Sequence, residues 1–325
     1  IELLTCDLGA LPETAVDCAN QFVEEGVSAV LVPVASNGGS VVPIVTGAGL
    51  PYVSFAAASL EELGTDGAFS IAGGGLSALG SIALDAQARG YDTVSHVLID
   101  VPQITVVGTA VGDPLFEAAG VRQELILAPL GVPDLTAQLS TATGDAILVS
   151  GDRSTCASAL QAYRTLGLTT PLYVQTTCIT DDIAEALPGI FDGIWLATSL
   201  ANSPEESELF AAMIDRYAPD NSVARTPVEA GVFAAGVSTV VSLADALDGI
   251  DEPTSDAIAV RLEEAGTQPL FLGEPGTFDC GEPILDLASS LCSVQGHIVR
   301  LDTDGNVTET EFFDSTELFE IALAR

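Results

Sequence analysis

Residues 29–59 read AVLVPVASNGGSVVPIVTGAGLPYVSFAAAS, and this stretch decides the fold. An apolar run, Ala29–Val34, ends in a small, polar, glycine-rich turn, Ser36-Asn37-Gly38-Gly39. A short helix-compatible segment leads through Gly49-Leu50-Pro51 to a second apolar run, Tyr52–Phe55, which ends in another small-residue turn, Ala56–Ser59. Parallel strands covered on both faces read as continuous apolar runs. Ligands of such sheets bind just beyond the carboxyl ends of the strands. The two turns therefore mark a predicted binding site. Neither carries a side chain suited to covalent chemistry, which favours binding over catalysis.

Outward from there the rhythm is strand then helix. Ile1–Thr5 is strand-like, and Pro12–Glu25 is a predicted helix with proline in its first turn. Phe69–Gly75 reads as a crossover segment, Ser77–Arg89 as a helix and Thr93–Ile99 as a strand ending at Asp100. Glu117–Ala119 falls in the helical region that follows. The Ala146–Ser150 strand ends in Gly151-Asp152-Arg153, and the Pro171–Gln175 strand ends in Thr176-Thr177-Cys178. Thr155–Leu166, Pro204–Tyr217 and Val228–Leu247 read as helices, and Gly193–Thr198 as a further strand. His297–Leu301 and Val307–Glu311 form a predicted hairpin about Asp304-Gly305. This is an α/β chain of parallel crossovers, and 325 residues favour two domains.

Composition narrows the function. There are 46 acidic residues against nine basic ones, all arginine, for a net charge of −37. Nucleic acid and anionic membrane both need a basic surface, so neither is an expected partner. A solvated acidic surface suits a salty medium, where ions screen self-repulsion. No apolar run reaches the ~18 residues of a membrane span. Six cysteines fall into sequence-local pairs, Cys6/Cys18, Cys156/Cys178 and Cys280/Cys292, the simplest of fifteen connectivities. None has metal or redox spacing, so three disulfides and an oxidising compartment are expected.

Catalysis finds little support. His96 sits inside an apolar strand and His297 opens a hairpin, so both read as structural. No G-x-S-x-G, H-E-x-x-H or Walker sequence occurs, and Gly73-Gly74-Gly75 lacks the dinucleotide spacing. Asp302-Thr303-Asp304-Gly305-Asn306 opens like a calcium loop, but Phe313 stands at the twelfth position, and a hairpin turn is the better reading. No metal and no cofactor are expected. Phe233, Trp195 and Phe278 are candidate cleft aromatics for which a core role is the commoner outcome.

Five stretches together carry a resemblance: residues 1–40 (IELLTCDLGALPETAVDCANQFVEEGVSAVLVPVASNGGS), 49–59 (GLPYVSFAAAS), 147–175 (ILVSGDRSTCASALQAYRTLGLTTPLYVQ), 229–247 (EAGVFAAGVSTVVSLADAL) and 278–305 (FDCGEPILDLASSLCSVQGHIVRLDTDG). In order and spacing the chain resembles the solute-binding proteins of type I periplasmic-binding fold. Within them it is most similar to the branched-chain amino acid, leucine-binding-protein-like branch that serves ABC importers. The resemblance implies two Rossmann-like α/β lobes, parallel sheets flanked by helices, hinged by several crossover segments. The implied division is residues 1–71 and 203–268 for the first lobe, 72–202 and 269–325 for the second. The family normally places another strand and helix before the segment matching Ile1–Thr5, and the expectation is that this chain omits them.

The same resemblance implies a ligand in the cleft between lobes that close by a hinge. Ser36, Asn37, Gly38, Gly39, Ala57 and Ser59 match the first-lobe position, where hydroxyls and free N–H groups suit a carboxylate. The second lobe departs from its relatives. Ile104 or a neighbour replaces a tyrosine in the turn that also holds Asp100 and Gln103. Asp152-Arg153 stands where an aromatic is usual, and Thr176 where a glutamate pairs with the ligand ammonium. An arginine there favours a small organic acid or polar solute, unless Arg153 pairs with Asp152 or Asp181. Asp152 or Glu229 is available to replace the lost acid and restore amino-acid binding. The expected partners are a small-molecule solute and the membrane permease of an ABC importer, with the protein a monomer. The expected location is extracytoplasmic, periplasmic or cell-surface anchored as a lipoprotein. No signal peptide or lipidation site is visible, so a secreted protein would be presented here in mature or trimmed form. A ligand-sensing ectodomain of the same fold and a structural or interaction protein without a small ligand are the alternatives.

Overall fold

The structure is a computed structural model and describes residues 2–9, 11–35, 37–218, 223–285 and 288–323, with Gln103 described by its backbone alone. The strands, in chain order, are β1 (Val30–Leu31), β2 (Tyr52–Ser54), β3 (Ala68–Ser70), β4 (Thr93–Asp100), β5 (Arg122–Pro129), β6 (Ala146–Ser150), β7 (Leu172–Gln175), β8 (Trp195–Thr198), β9 (Gln268–Pro269), β10 (Thr277–Phe278), β11 (Gln295–Leu301) and β12 (Val307–Asp314). The chain forms two compact units, residues 1–77 with 199–295 and residues 78–198 with 296–325.

In the first unit β1, β2 and β3 pair in parallel, in that order. The helix Pro12–Glu25 covers them with Ala15, Cys18 and Ala19 buried. Its limits are set locally. Proline fits the first turn, where its missing N–H costs nothing, and Gly26 closes the helix in the left-handed conformation at φ 67°. The core gathers Val30, Val32, Val41, Val42, Val45 and Tyr52 around Ala15 and Ala19. Cys6 and Cys18 form a disulfide that ties the preceding segment to this helix.

Three expectations for this unit are corrected. Residues 2–5 are not a strand, because the described sheet ends at β1 and offers them no ladder; Leu3 is left 80% exposed. Phe69–Gly75 is not simply a crossover, since Ala68–Ser70 is a fully buried strand on β2. Residues 269–295 belong with the first unit rather than the second. The Ser70 N–H donates to Ser290 O at 2.7 Å, and the Cys292 N–H to Ser70 O at 2.9 Å, so the segment extends the first sheet. The Ala201 N–H donates to Leu272 O, and Cys280–Cys292 closes the same region.

The second unit holds a seven-stranded sheet in the order β12-β11-β8-β7-β6-β4-β5. Strands β4 to β8 run parallel, and β11 joins β8 antiparallel. Seven of the eight residues of β4 are buried, as a strand flanked on both sides and covered on both faces requires. The edge strand β5 was not expected from the sequence, because its polar opening Arg122-Gln123-Glu124 breaks the apolar run. His96 of β4 is buried, and its Nδ1 meets Gln123 Oε1 at 3.2 Å. The Gln123 amide donates to Gly108 O at 2.9 Å and Asp113 at 2.7 Å, which assigns the imidazole proton to Nδ1. Gly108 opens a π-helical turn, Gly108–Gly112, so Gln123 satisfies a carbonyl in that wide turn.

The predicted helix Val228–Leu247 is two helices, Pro227–Ala230 and Val232–Ala246, interrupted at Gly231 with φ 53°. No helix among the described residues is long and apolar enough to cross a membrane.

Candidate functional site

In the first unit the turns after β1 and β2 follow neighbouring parallel strands, so both open at the same edge of the sheet. Their backbones are bonded together, since the Phe55 and Ala56 N–H groups both donate to Pro33 O, at 2.8 and 3.1 Å. Ser36 lies outside the described residues. The Asn37 amide is turned inward and donates to Leu8 O and Gly9 O at 3.1 and 3.2 Å, holding that loop. Gly38 and Gly39 lie in a tight 3₁₀ turn, Gly38–Ser40.

Three donors at the turn after β2 are already engaged. The Ala57 N–H donates to Ser70 Oγ at 2.9 Å. The Ala58 N–H donates to Glu62 Oε2 at 3.0 Å, and the Ser59 hydroxyl to the same oxygen at 3.1 Å. The Glu62 N–H in turn donates to Ser59 Oγ, which makes Ser59 the N-cap of the helix Leu60–Gly64. Ser59 and Glu62 stand at the Ser-x-x-Glu spacing of a capping box, with the carboxylate taking the Ala58 N–H and the Ser59 hydroxyl in place of the Ser59 N–H. The other Glu62 oxygen accepts the Tyr52 hydroxyl at 2.5 Å. Burial, reinforced by the Glu62 charge, pushes the Tyr52 phenol above its ordinary range, so it stays a donor. The N–H groups of Ala57 and Ala58 are thus not free for a ligand, since Ser70 and Glu62 supply their acceptors internally. Glu229 is exposed, on the helix Pro227–Ala230 of this unit.

In the second unit the chain passes from β4 to β5 on one side, then crosses to β6 on the other. Beyond the carboxyl ends of β4 and β6 lies the switch point at which open α/β sheets hold ligands. Asp100 is exposed at the end of β4, and Asp152 and Arg153 follow β6 directly. Thr176 is exposed after the adjacent β7. Topology therefore brings Asp100, Asp152, Arg153 and Thr176 to one edge of the sheet. Asp152 caps the helix Arg153–Thr165, accepting the Thr155 N–H at 2.8 Å and the Ser154 hydroxyl at 2.9 Å. Partial burial works against its charge, but these hydrogen bonds prevail and hold the carboxyl below its ordinary pKa. Arg153 is 67% exposed and lies 3.7 Å from Asp182, so it pairs with neither Asp152 nor Asp181 and is not buried. Cys156 and Cys178 form a disulfide that staples the turn after β6 to the turn after β7.

The aromatic candidates divide. Trp195 and Phe278 are buried core residues, whereas Phe233 is 44% exposed and packs edge-on against Phe210, with centroids 6.4 Å apart. A cleft of about 500 Å³ in the second unit is lined by Asp92, Asp113, Glu117, Arg122 and Gln123. It opens at the amino ends of β4 and β5, opposite the strand-end turns, and holds none of the expected site residues. Asp302 accepts the N–H groups of Asp304 and Asn306 at 2.9 Å, so that loop is a hairpin turn closed by its own aspartate. No cluster of three metal-ligating side chains occurs among the described residues.

The periplasmic binding protein family matches residues 1–285, and the chain belongs to that family, whose members bind solutes rather than transform them. Solved structures share the fold. The leucine-binding protein LivK of Thermotoga maritima superimposes with a TM-score of 0.75 at 19% identity, over 96% of this chain and 87% of its own. A branched-chain amino acid ABC transporter periplasmic ligand-binding protein of Burkholderia xenovorans gives 0.76 at 16% identity, over 100% and 86%. A fatty acid ABC transporter substrate-binding protein of Thermomonospora curvata gives 0.71 at 17%, over 98% and 83%. No protein of curated function matches the chain.

Proposed function

We propose that this protein is the extracytoplasmic solute-binding component of an ABC importer. It captures one small polar solute at the strand-end turns and delivers it to a membrane permease, without covalent chemistry. The observation that carries the reading is the set of turns after β1, β2, β4, β6 and β7. In a chain of the periplasmic binding protein family, they put small, polar and charged groups at the carboxyl ends of parallel strands. Three disulfides among the described residues support an oxidising, extracytoplasmic location. The names of similar structures, which speak of leucine, branched-chain amino acids and fatty acid, supply the first solutes to try.

A thermal-shift panel of amino acids, fatty acids, amides and amines tests the reading. A solute at 100 times its Kd stabilises the native state by about 2.7 kcal/mol, a readily measured rise in Tm. A saturable shift confined to one chemical class is the expected result. A flat response across every class would overturn it.

A further inference from the structure

The turns after β1 and β2 converge on a carboxylate that the chain itself provides. Glu62 is 1% exposed, and its two oxygens accept the Tyr52 hydroxyl, the Ala58 N–H and the Ser59 hydroxyl. It lies against the glycine turn as well. A Cβ on Gly38 would collide with Glu62 Oε1 and fall 2.7 Å from the Tyr52 hydroxyl, and one on Gly39 would fall 2.7 Å from Ser59 Oγ. Ala57 adds nothing free, since its N–H is held by Ser70 Oγ, whose own proton goes to Ala72 O at 3.1 Å. A second carboxylate, Glu61, is exposed beside Gly39, 3.1 Å from where that Cβ would be. A carboxylate arriving here would meet the engaged N–H groups of Ala57 and Ala58, the engaged Ser59 hydroxyl and two like charges.

Resting on the solute-binding reading above, we propose that Glu62 determines the solute class: the solute presents to these turns an end without a carboxylate, an amide, hydroxyl or amine. Tyr52 and Ser59 are its positioning residues, since they hold the Glu62 carboxylate in place of an incoming one. Gly38 is required because only hydrogen fits against that carboxylate.

Two acid–amide pairs test this by calorimetry, isoleucine with isoleucinamide and hexanoate with hexanamide. They are titrated into the wild type, Glu62→Ala and Glu62→Gln. The expected wild type prefers the amide. In Glu62→Ala the ratio of acid to amide affinity rises about tenfold, the worth of one hydrogen bond to a charged group. Glu62→Gln, which keeps the side chain's volume and serves where the alanine variant does not fold, moves the ratio the same way. A wild type that prefers the acid, or a ratio unmoved by both substitutions, overturns the proposal and leaves the solute-binding reading standing. Binding of none of the four to any of the three proteins, together with a flat thermal-shift panel, overturns the solute-binding reading, and the proposal with it.

Discussion

Arg89 lies over the indole of Trp195, its guanidinium carbon 3.9 Å from the ring centroid. Its Nε donates to Asp85 at 2.7 Å, one turn back on the same helix. Tyr173 donates its hydroxyl to the same Asp85 oxygen, while Asp85 Oδ1 is buried without a partner. The Asp85 side chain has no exposure at all, so its charge depends on Arg89 for compensation. Removing one partner of a buried pair leaves an uncompensated charge. Arg89→Leu is therefore expected to cost about 3 kcal/mol in urea denaturation at neutral pH. The double variant with Asp85→Asn is expected to recover most of that loss. A cost of about 1 kcal/mol or less, the worth of a surface pair, would refute the dependence.

Acid acts on this unit through His96. Burial lowers its pKa to about 4, the Gln123 hydrogen bond only partly opposing the shift. The unfolded chain takes up the proton near pH 6.5, and the native state takes it up only near 4. Stability from this group is thus unaffected above pH 6.5, and it falls as pH drops from 6.5 towards 4. The total loss is about 3 kcal/mol. His96→Leu starts from a lower stability, because Gln123 Oε1 loses its donor, but lacks this slope. Chemical denaturation of both proteins at several pH values between 7 and 4 reads the difference. Parallel slopes would show that the native imidazole is reached by protons.

The residues that fix these elements differ in how plainly they speak. Pro12 and Gly26 mark the two ends of the first helix through local conformation alone, so its limits were legible. Gly231 lies inside an apolar run that reads as one helix, yet its positive φ splits the helix there. The strand β5 is an edge strand with a polar start, and no periodic pattern distinguishes it from a loop. The strand-end turns were visible as clusters of small residues. What they do with their N–H groups was not, because that depends on Ser70 of the next strand and on the direction that the Glu62 side chain takes. One signal was available: Ser59 and Glu62 stand at capping-box spacing, which already assigns both side chains to the helix end.

Charge sets a second solution condition. With 46 acidic side chains and nine arginines, the folded chain repels itself. Screening shortens from ~10 Å at 0.1 M salt to ~3 Å at 1 M. Tm is expected to climb by roughly several degrees between those concentrations in sodium chloride. Ion pairs such as Arg225–Asp215 and Arg300–Glu309 weaken over the same range, but exposed pairs contribute less than about 1 kcal/mol each. A Tm that falls with salt would mean that such pairs outweigh the net repulsion.

The disulfide Cys156–Cys178 separates stability from binding. It spans 22 residues and Cys6–Cys18 spans 12; chain entropy depends on the logarithm of loop length, so each contributes about 3 kcal/mol. Replacing either pair by serine is expected to destabilise the protein by a similar amount. Their effects on solute affinity are expected to diverge. Cys156 belongs to the first turn of the helix that Asp152 caps, and Cys178 ends the turn that begins with Thr176. Cutting this bond frees the turn after β6, with Asp152 and Arg153, from the turn after β7. Only hydrogen bonds such as Thr177 Oγ1 to Gly151 O, at 2.9 Å, remain to align the two. Solute affinity at a temperature where both variants are folded is therefore expected to fall in the Cys156/Cys178 variant and to hold in the Cys6/Cys18 variant. Equal affinities would remove the turns after β6 and β7 from the binding site while leaving the fold argument untouched.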